Sequence, residues 1–286
     1  MRAITVMAVG ILLSVSAFPA RSAERTAAGY DFKWSRDAVD GRRTGVKFAE
    51  AGNVESAMGR VRCGRYVSPS GRVFRRGTAT RKVAKIMIQA QDSMADVKTV
   101  IGYSPRTMTV HPPESALSDW LVDELMAFCQ EKTGKKVDVG FINFGGIRVD
   151  MPEGNVLKDD ILSMFPFRNN VCYLELYGRD IRVILQQMAA ERWQVIGGVR
   201  CVSNRRSELL SAEIGGEPLD DDRIYGVMTI SFLLNGGDGY SIAKNAVSVK
   251  ILDEYVMDVM LPYVKSLTAA GKQIEYSEDG RVKIVD

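Results

Sequence analysis

Asn143 to Arg148 run as N-F-G-G-I-R at the end of an apolar segment. Paired glycines there let backbone N–H groups approach a ligand with no Cβ in the way, and Arg148 can offer a forked donor to a phosphate or ribose oxygen. Pro166 to Asn169, P-F-R-N, add a ring held by the proline before it and an amide two residues on. Phe167 is suited to stack on a base, and the Asn169 amide presents both a donor and an acceptor to a base edge. Phe232 to Tyr240, F-L-L-N-G-G-D-G-Y, set one carboxylate, Asp238, among glycines. A carboxylate on so bare a loop can accept two hydrogen bonds from a cis-diol such as the ribose 2′ and 3′ hydroxyls. Each segment also has a plainer reading: a Gly-Gly turn with a surface arginine, a core phenylalanine beside a turn-capping asparagine, an Asp-Gly turn. Three in this order are harder to assign to turns alone.

The surrounding pattern predicts what must hold them. Val83, Ile86, Met87, Ala90 and Met94 recur at helical spacing. A second helix follows Pro112 and Pro113, with Leu117, Trp120, Leu121, Leu125 and Phe128 on one face, and stops at Gly134. The strand V-D-V-G-F-I-N then leads into the first glycine pair. A short helix over Asp159 to Met164 precedes P-F-R-N, and a strand over Val171 to Leu176 follows it. A helix over Arg179 to Ala190, strands at Val199 to Ser203, Glu208 to Ile214 and Ile224 to Phe232, and a last helix over Asp253 to Ala269 complete the reading. Helices alternate with strands while hairpin links intervene, so the expected class is α+β: a mixed sheet with packed helices. Residues 24–82 read as a hairpin-rich N-terminal extension, with R-Y-V-S-P-S-G-R-V-F-R as two strands around a Ser-Pro-Ser-Gly turn, and residues 83–286 as the main domain.

On these motifs, over roughly residues 83 to 270, the chain resembles the C-terminal, substrate-binding domain of secreted 5′-nucleotidases. The resemblance implies a base held between two rings, at Phe167 and Phe232, with Asp238 on the ribose. It further implies that Arg148 contacts phosphate or sugar and that Asn143 and Asn169 make polar contacts to the nucleoside. Phe144 stands where the family commonly has a small residue and Arg168 where glycine is common, which points to a narrower or more cationic pocket. Only Arg106 lies near the place where family members have an arginine pair.

Family members hydrolyse phosphate esters with a separate N-terminal metallophosphatase domain carrying two divalent metals. Such a centre needs several His, Asp and Asn ligands. This sequence has one histidine, His111, ahead of two prolines, and no D-x-H, G-N-H-E or H-x-H stretch. His111 therefore reads as a surface or capping residue, and Asp220, Asp221 and Asp222 read as a solvated turn. No catalytic or metal-binding residue is assigned, no cofactor is expected in this chain, and divalent metals are expected only in a partner phosphatase. Three functions stay open: a nucleotide-recognition subunit for a separately encoded metallophosphatase, an independent nucleotide-binding scavenging or sensing protein, and a hydrolase with an unrecognised site.

Met1 and Arg2 followed by the apolar run Ile4 to Phe18 and small residues to Ala23 read as a signal peptide, residues 1–23. The expected location is therefore periplasmic or extracellular, without stable membrane insertion. Between Arg60 and Ile86 there are nine Arg or Lys residues and no Asp or Glu. That stretch is either a partner-docking face or a solvated basic hairpin, and it lacks the aromatic interleaving of a nucleic-acid binder. Export permits disulfides, but Cys129, Cys172 and Cys201 sit in apolar elements and read as buried thiols; Cys172 with Cys201 is the pairing expected if any bridge forms.

Overall fold

The computed structural model describes residues 53–286. The expected signal peptide lies outside them. A short helix α1 (Val54–Met58) leads into three small strands, β1 (Arg60–Arg62), β2 (Arg65–Val67) and β3 (Val73–Phe74), which pair antiparallel in that order. The Ser-Pro-Ser-Gly turn joins the last two, as expected. Helix α2 (Ala79–Ser93) begins at Thr78, whose side chain accepts the Arg81 N–H, so the boundary expected after residue 82 falls inside it.

Strand β4 (Val100–Ser104) precedes α3 (Ala116–Thr133), which Ser115 and Ser118 cap reciprocally at the start and Gly134, at φ 67°, closes. Next come β5 (Val139–Ile142), β6 (Gly154–Leu157), α4 (Lys158–Met164), β7 (Asn170–Tyr177) and α5 (Gly178–Ala190). Strands β8 (Val195–Gly197), β9 (Val199–Asn204), β10 (Leu209–Ile214), β11 (Glu217–Pro218) and β12 (Ile224–Ile230) lead to a short helix α6 (Ser231–Leu234). The chain finishes with β13 (Ser248–Tyr255), α7 (Val256–Ala269) and β14 (Val282–Val285).

The class is α+β, built on a mixed five-stranded sheet in the order β13-β7-β12-β5-β8. A second sheet, β11-β10-β9-β14, and the pair β4-β6 flank it. Within the central sheet only β5 and β12 run parallel; β7 pairs antiparallel to β12, and β8 antiparallel to β5. Helix α3 packs across β5, β7 and β8, burying Leu117, Trp120, Leu121 and Leu125, the apolar face read from the sequence. Close backbone approach sets the glycines here: a Cβ on Gly226 of β12 would sit 1.9 Å from the Lys136 carbonyl oxygen.

Several expectations change. The strand read as ending at Phe232 ends at Ile230, because Ser231 turns the chain into α6 and its Oγ accepts the Asn170 N–H at 3.0 Å. The last helix begins at Val256, since Asp253 to Tyr255 remain in β13. Cys172 and Cys201 are not bridged: they lie on β7 and β9, in different sheets, and all four cysteines are free. Burial pushes the Cys172 and Cys201 thiols up to about 12, as befits inert core residues.

Candidate functional site

Strand direction brings the three motifs together. The parallel strands β5 and β12 end at the same sheet edge, delivering Asn143 and the loop after α6 side by side. Antiparallel pairing places the start of β7 there too, with Ile230 opposite Val171, so the Phe167–Asn169 loop meets them. By the same logic β8 starts there, with Val195 opposite Ile142, which adds Gln194.

Asp238 is the hub. It adopts φ 53°, left-handed backbone that Asp tolerates better than most side chains, and its carboxylate takes hydrogen bonds from two buried amides. Its Oδ2 accepts from Asn143 Nδ2 at 3.2 Å and from Gln194 Nε2 at 3.4 Å. Gln194 Oε1 in turn accepts the Phe144 N–H at 3.1 Å, so this buried amide ties the first glycine motif to the last. No motif marks Gln194 in the sequence; its position directly before the V-I-G-G strand end is the one available signal.

Asn143 is 7% exposed, and its Oδ1 has no hydrogen-bond partner. A buried acceptor left in that state is costly unless something completes it. A Cβ on Gly146 would lie 2.9 Å from that oxygen, so the second glycine of N-F-G-G-I-R keeps the approach to Asn143 clear. A small, mostly apolar cleft here is lined by Leu125, Ile142, Phe165 and Ile230 together with Asn143, Phe167 and Asn169.

Phe167 and Phe232 are 46% and 39% exposed. The Phe232 ring rests on Gly237, where a Cβ would approach it to 2.5 Å. Arg148 is exposed; its guanidinium lies 5.8 Å from the Phe167 ring centroid and donates to the Gly145 carbonyl at 3.3 Å. This end of the sheet thus carries two exposed rings, a buried acceptor without a partner, a tethered carboxylate and an exposed guanidinium.

One departure noted in the sequence resolves differently from expectation. Phe144 does not narrow the site, since its ring is buried in the core. Arg106 hydrogen-bonds Tyr276 and Ser277 of the C-terminal segment. Arg168 is exposed beside Phe167. Residues 94–245 match the family model described as 5′-nucleotidase, C-terminal domain. The chain belongs to this family. A 5′-nucleotidase precursor from Thermus thermophilus shares the fold, with a TM-score of 0.63 at 24% identity over 72% of this chain and 43% of its own. An apyrase from Tabanus yao is 27% identical over 170 residues, 52% of this chain and 30% of its length. A cell wall protein of Listeria monocytogenes is 28% identical over 194 residues, 62% of this chain and 24% of its length. The chain therefore spans less than a third of these curated relatives.

A metal would need clustered ligands, and one such group stands among the described residues: Glu114, Asp119 and Asp279 bring carboxylate oxygens within 4.8 Å of one another. Protein groups already engage them. Arg281 Nε lies 3.1 Å from Asp279 and 3.6 Å from Asp119, and Glu114 accepts the N–H groups of Asp279, Gly280 and Val282. A dinuclear centre with imidazole ligands does not fit these residues. His111 is exposed, 3.7 Å from Glu278. Asp221 and Asp222 pair with Arg182 and Arg179 on the surface.

Proposed function

We propose that this domain is the nucleotide-recognition component of an exported 5′-nucleotidase-type system, working with a separately encoded metallophosphatase. One observation supports the reading: the segments carrying Asn143, Phe167, Asn169, Phe232 and Asp238, far apart in sequence, are brought by strand direction to one end of the central sheet, where the buried Asn143 Oδ1 has no partner. In this reading the two exposed rings take a base between them, where stacking contributes about 1–3 kcal/mol per base. The ribose diol donates to Asp238, whose second oxygen stays free of Asn143 and Gln194. Arg148 faces the phosphate or sugar, and Asn143 Oδ1 takes a donor from the nucleoside.

Phosphate-ester cleavage falls to the partner, whose two divalent metals would supply the activated water. Support for this division comes from the single imidazole in the chain. Export rests on the apolar run near the N-terminus and on the likeness to a cell wall protein. Among the described residues no helix is long and apolar enough to cross a membrane.

Incubation of the purified chain with AMP or UDP-glucose and magnesium or manganese tests the division of labour. The expected result is no phosphate release above buffer, with release appearing when the metallophosphatase is added. Metal-dependent release by the homogeneous chain, unaffected by further purification, contradicts it.

A further inference from the structure

The elements ahead of the family-matched residues build a second concavity. Strands β1 and β2 meet at the two-residue turn Cys63-Gly64, whose φ values of 47° and 74° are both positive, and Arg62 pairs with Arg65 across it. Positive φ at both central residues gives the tight hairpin turn whose twist matches its strands. Helix α2 packs on β1 and β2, and Arg81, in its first turn, lies on the covered side with Ala84 and Ile88. Arg76 passes close to the turn, since a Cβ on Gly64 would lie 3.7 Å from its Cδ. Cys63, Gly64, Arg65, Arg75, Arg76 and Arg81 thereby line one open cleft.

That cleft concentrates one sign of charge. Among the described residues none of its four arginines pairs with a carboxylate, whereas Arg60 is bound to Glu55 at 2.7 Å. The segment from Arg60 to Ile86 has no Asp or Glu, so no neighbour in sequence can neutralise them. The Arg81 Nε is buried without a hydrogen-bond partner, so burial fixes this guanidinium without compensating its charge. Helix α2 starts at the same place, with Thr78 capping the Arg81 N–H, and a helix N-terminus adds positive potential of its own. A concavity lined by like charges repels itself and attracts counter-ions, which guanidinium holds through two parallel hydrogen bonds. Four such groups around one cleft match an anion that carries several charges on adjoining groups. A condensed phosphate has that form; the separately mounted carboxylates of an acidic protein surface do not. No aromatic side chain lines the cleft, so it offers no platform for a base.

We infer that the arginine cleft is a binding site for condensed phosphate, a chain of linked phosphates either free in solution or carried by a nucleotide. Arg75 and Arg76, both exposed, close on the anion, while the half-buried Arg81 and the β2 residue Arg65 form its fixed wall. The site shares no lining residue with the cleft at the end of the central sheet and precedes the family match at residues 94–245. It therefore stands apart from the nucleotide reading above.

Calorimetric titration of the purified chain with inorganic tripolyphosphate in magnesium-free buffer tests it, with ATP, polyglutamate and phosphatidylglycerol vesicles as further arms. Saturable one-to-one binding of tripolyphosphate is expected. Arg75→Gln with Arg76→Gln should weaken it by about tenfold or more, and Arg65→Gln should act in the same direction. Lys272→Gln with Lys283→Gln removes the same charge from exposed positions on other elements and should leave it unchanged. The thermal midpoint of each variant reports an intact fold. A matching loss of ATP affinity in the arginine pair supports the site with the phosphate chain of a nucleotide as its ligand; loss for tripolyphosphate alone supports it with free condensed phosphate. Absence of saturable binding, affinity unchanged in the arginine pair, or an equal loss in the lysine pair overturns the site. Polyglutamate bound as tightly as tripolyphosphate marks a general cationic surface, and binding to vesicles alone assigns the cleft to lipid; each of these overturns it too. Loss in Arg148→Gln with retention in the arginine pair moves the anion to the end of the central sheet and also contradicts the inference.

Discussion

Asp238 has one oxygen held by two buried amides and the other free of them, in a backbone conformation that few side chains adopt. That arrangement aims a carboxylate before any ligand arrives, which lowers the cost of ordering it on binding. Asp238→Asn keeps the shape and removes the charge. Ribonucleosides should then lose more affinity than 2′,3′-dideoxy analogues in parallel titrations, by about tenfold or more, since hydrogen bonds to charged groups contribute about 1.5–3 kcal/mol. Equal losses for the two ligand classes would remove the diol contact. The types of these residues are legible in the sequence because each motif couples a chemical group to glycine or proline. Gln194 is not, since an amide that acts only through its neighbours leaves no spacing signal.

Helix α3 and strand β14 are joined by a buried ionic group that no local pattern announces. Arg281 donates to both Asp123 oxygens, at 2.8 and 2.6 Å, and to the Ile196 carbonyl, so the last strand locks onto the helix and the central sheet. Asp119, in the first turn of α3, sits against this group. Burial pushes its carboxyl up to about 8; Arg281 pulls the other way, and Glu114 adds to the rise. Unfolded, the same group titrates near 3.8. Between these values the folded chain keeps a proton that the unfolded chain has released. Its stabilising contribution is therefore complete below about 3.8 and is lost as pH rises through about 8. Asp119→Asn cannot ionise, and its urea midpoint should fall less than the parent's between about pH 5 and about pH 8. Identical pH slopes would place the titration elsewhere. Long periodic elements such as α3 and α5 are readable from sequence, whereas β4, β6, β8 and β14 are short and β13 is an edge strand carrying Lys250 between exposed Val249 and Ile251. Such strands are defined by their partners more than by their own pattern.

Taken whole, residues from β5, β7, β8 and β12 make one polar and aromatic end of the central sheet. The α+β class and the order of the motifs follow from sequence periodicity and glycine placement. What does not follow is which strands run parallel, and that alone determines that residues 143, 167 and 238 converge. Calorimetric titration of the purified protein with AMP and UMP decides whether that convergence is a nucleotide site. The account predicts saturable one-to-one binding that Phe167→Ala and Phe232→Ala each weaken by about 1–3 kcal/mol, with the thermal midpoint little changed because both rings are exposed. Absence of binding, or affinity unchanged in both variants, contradicts it.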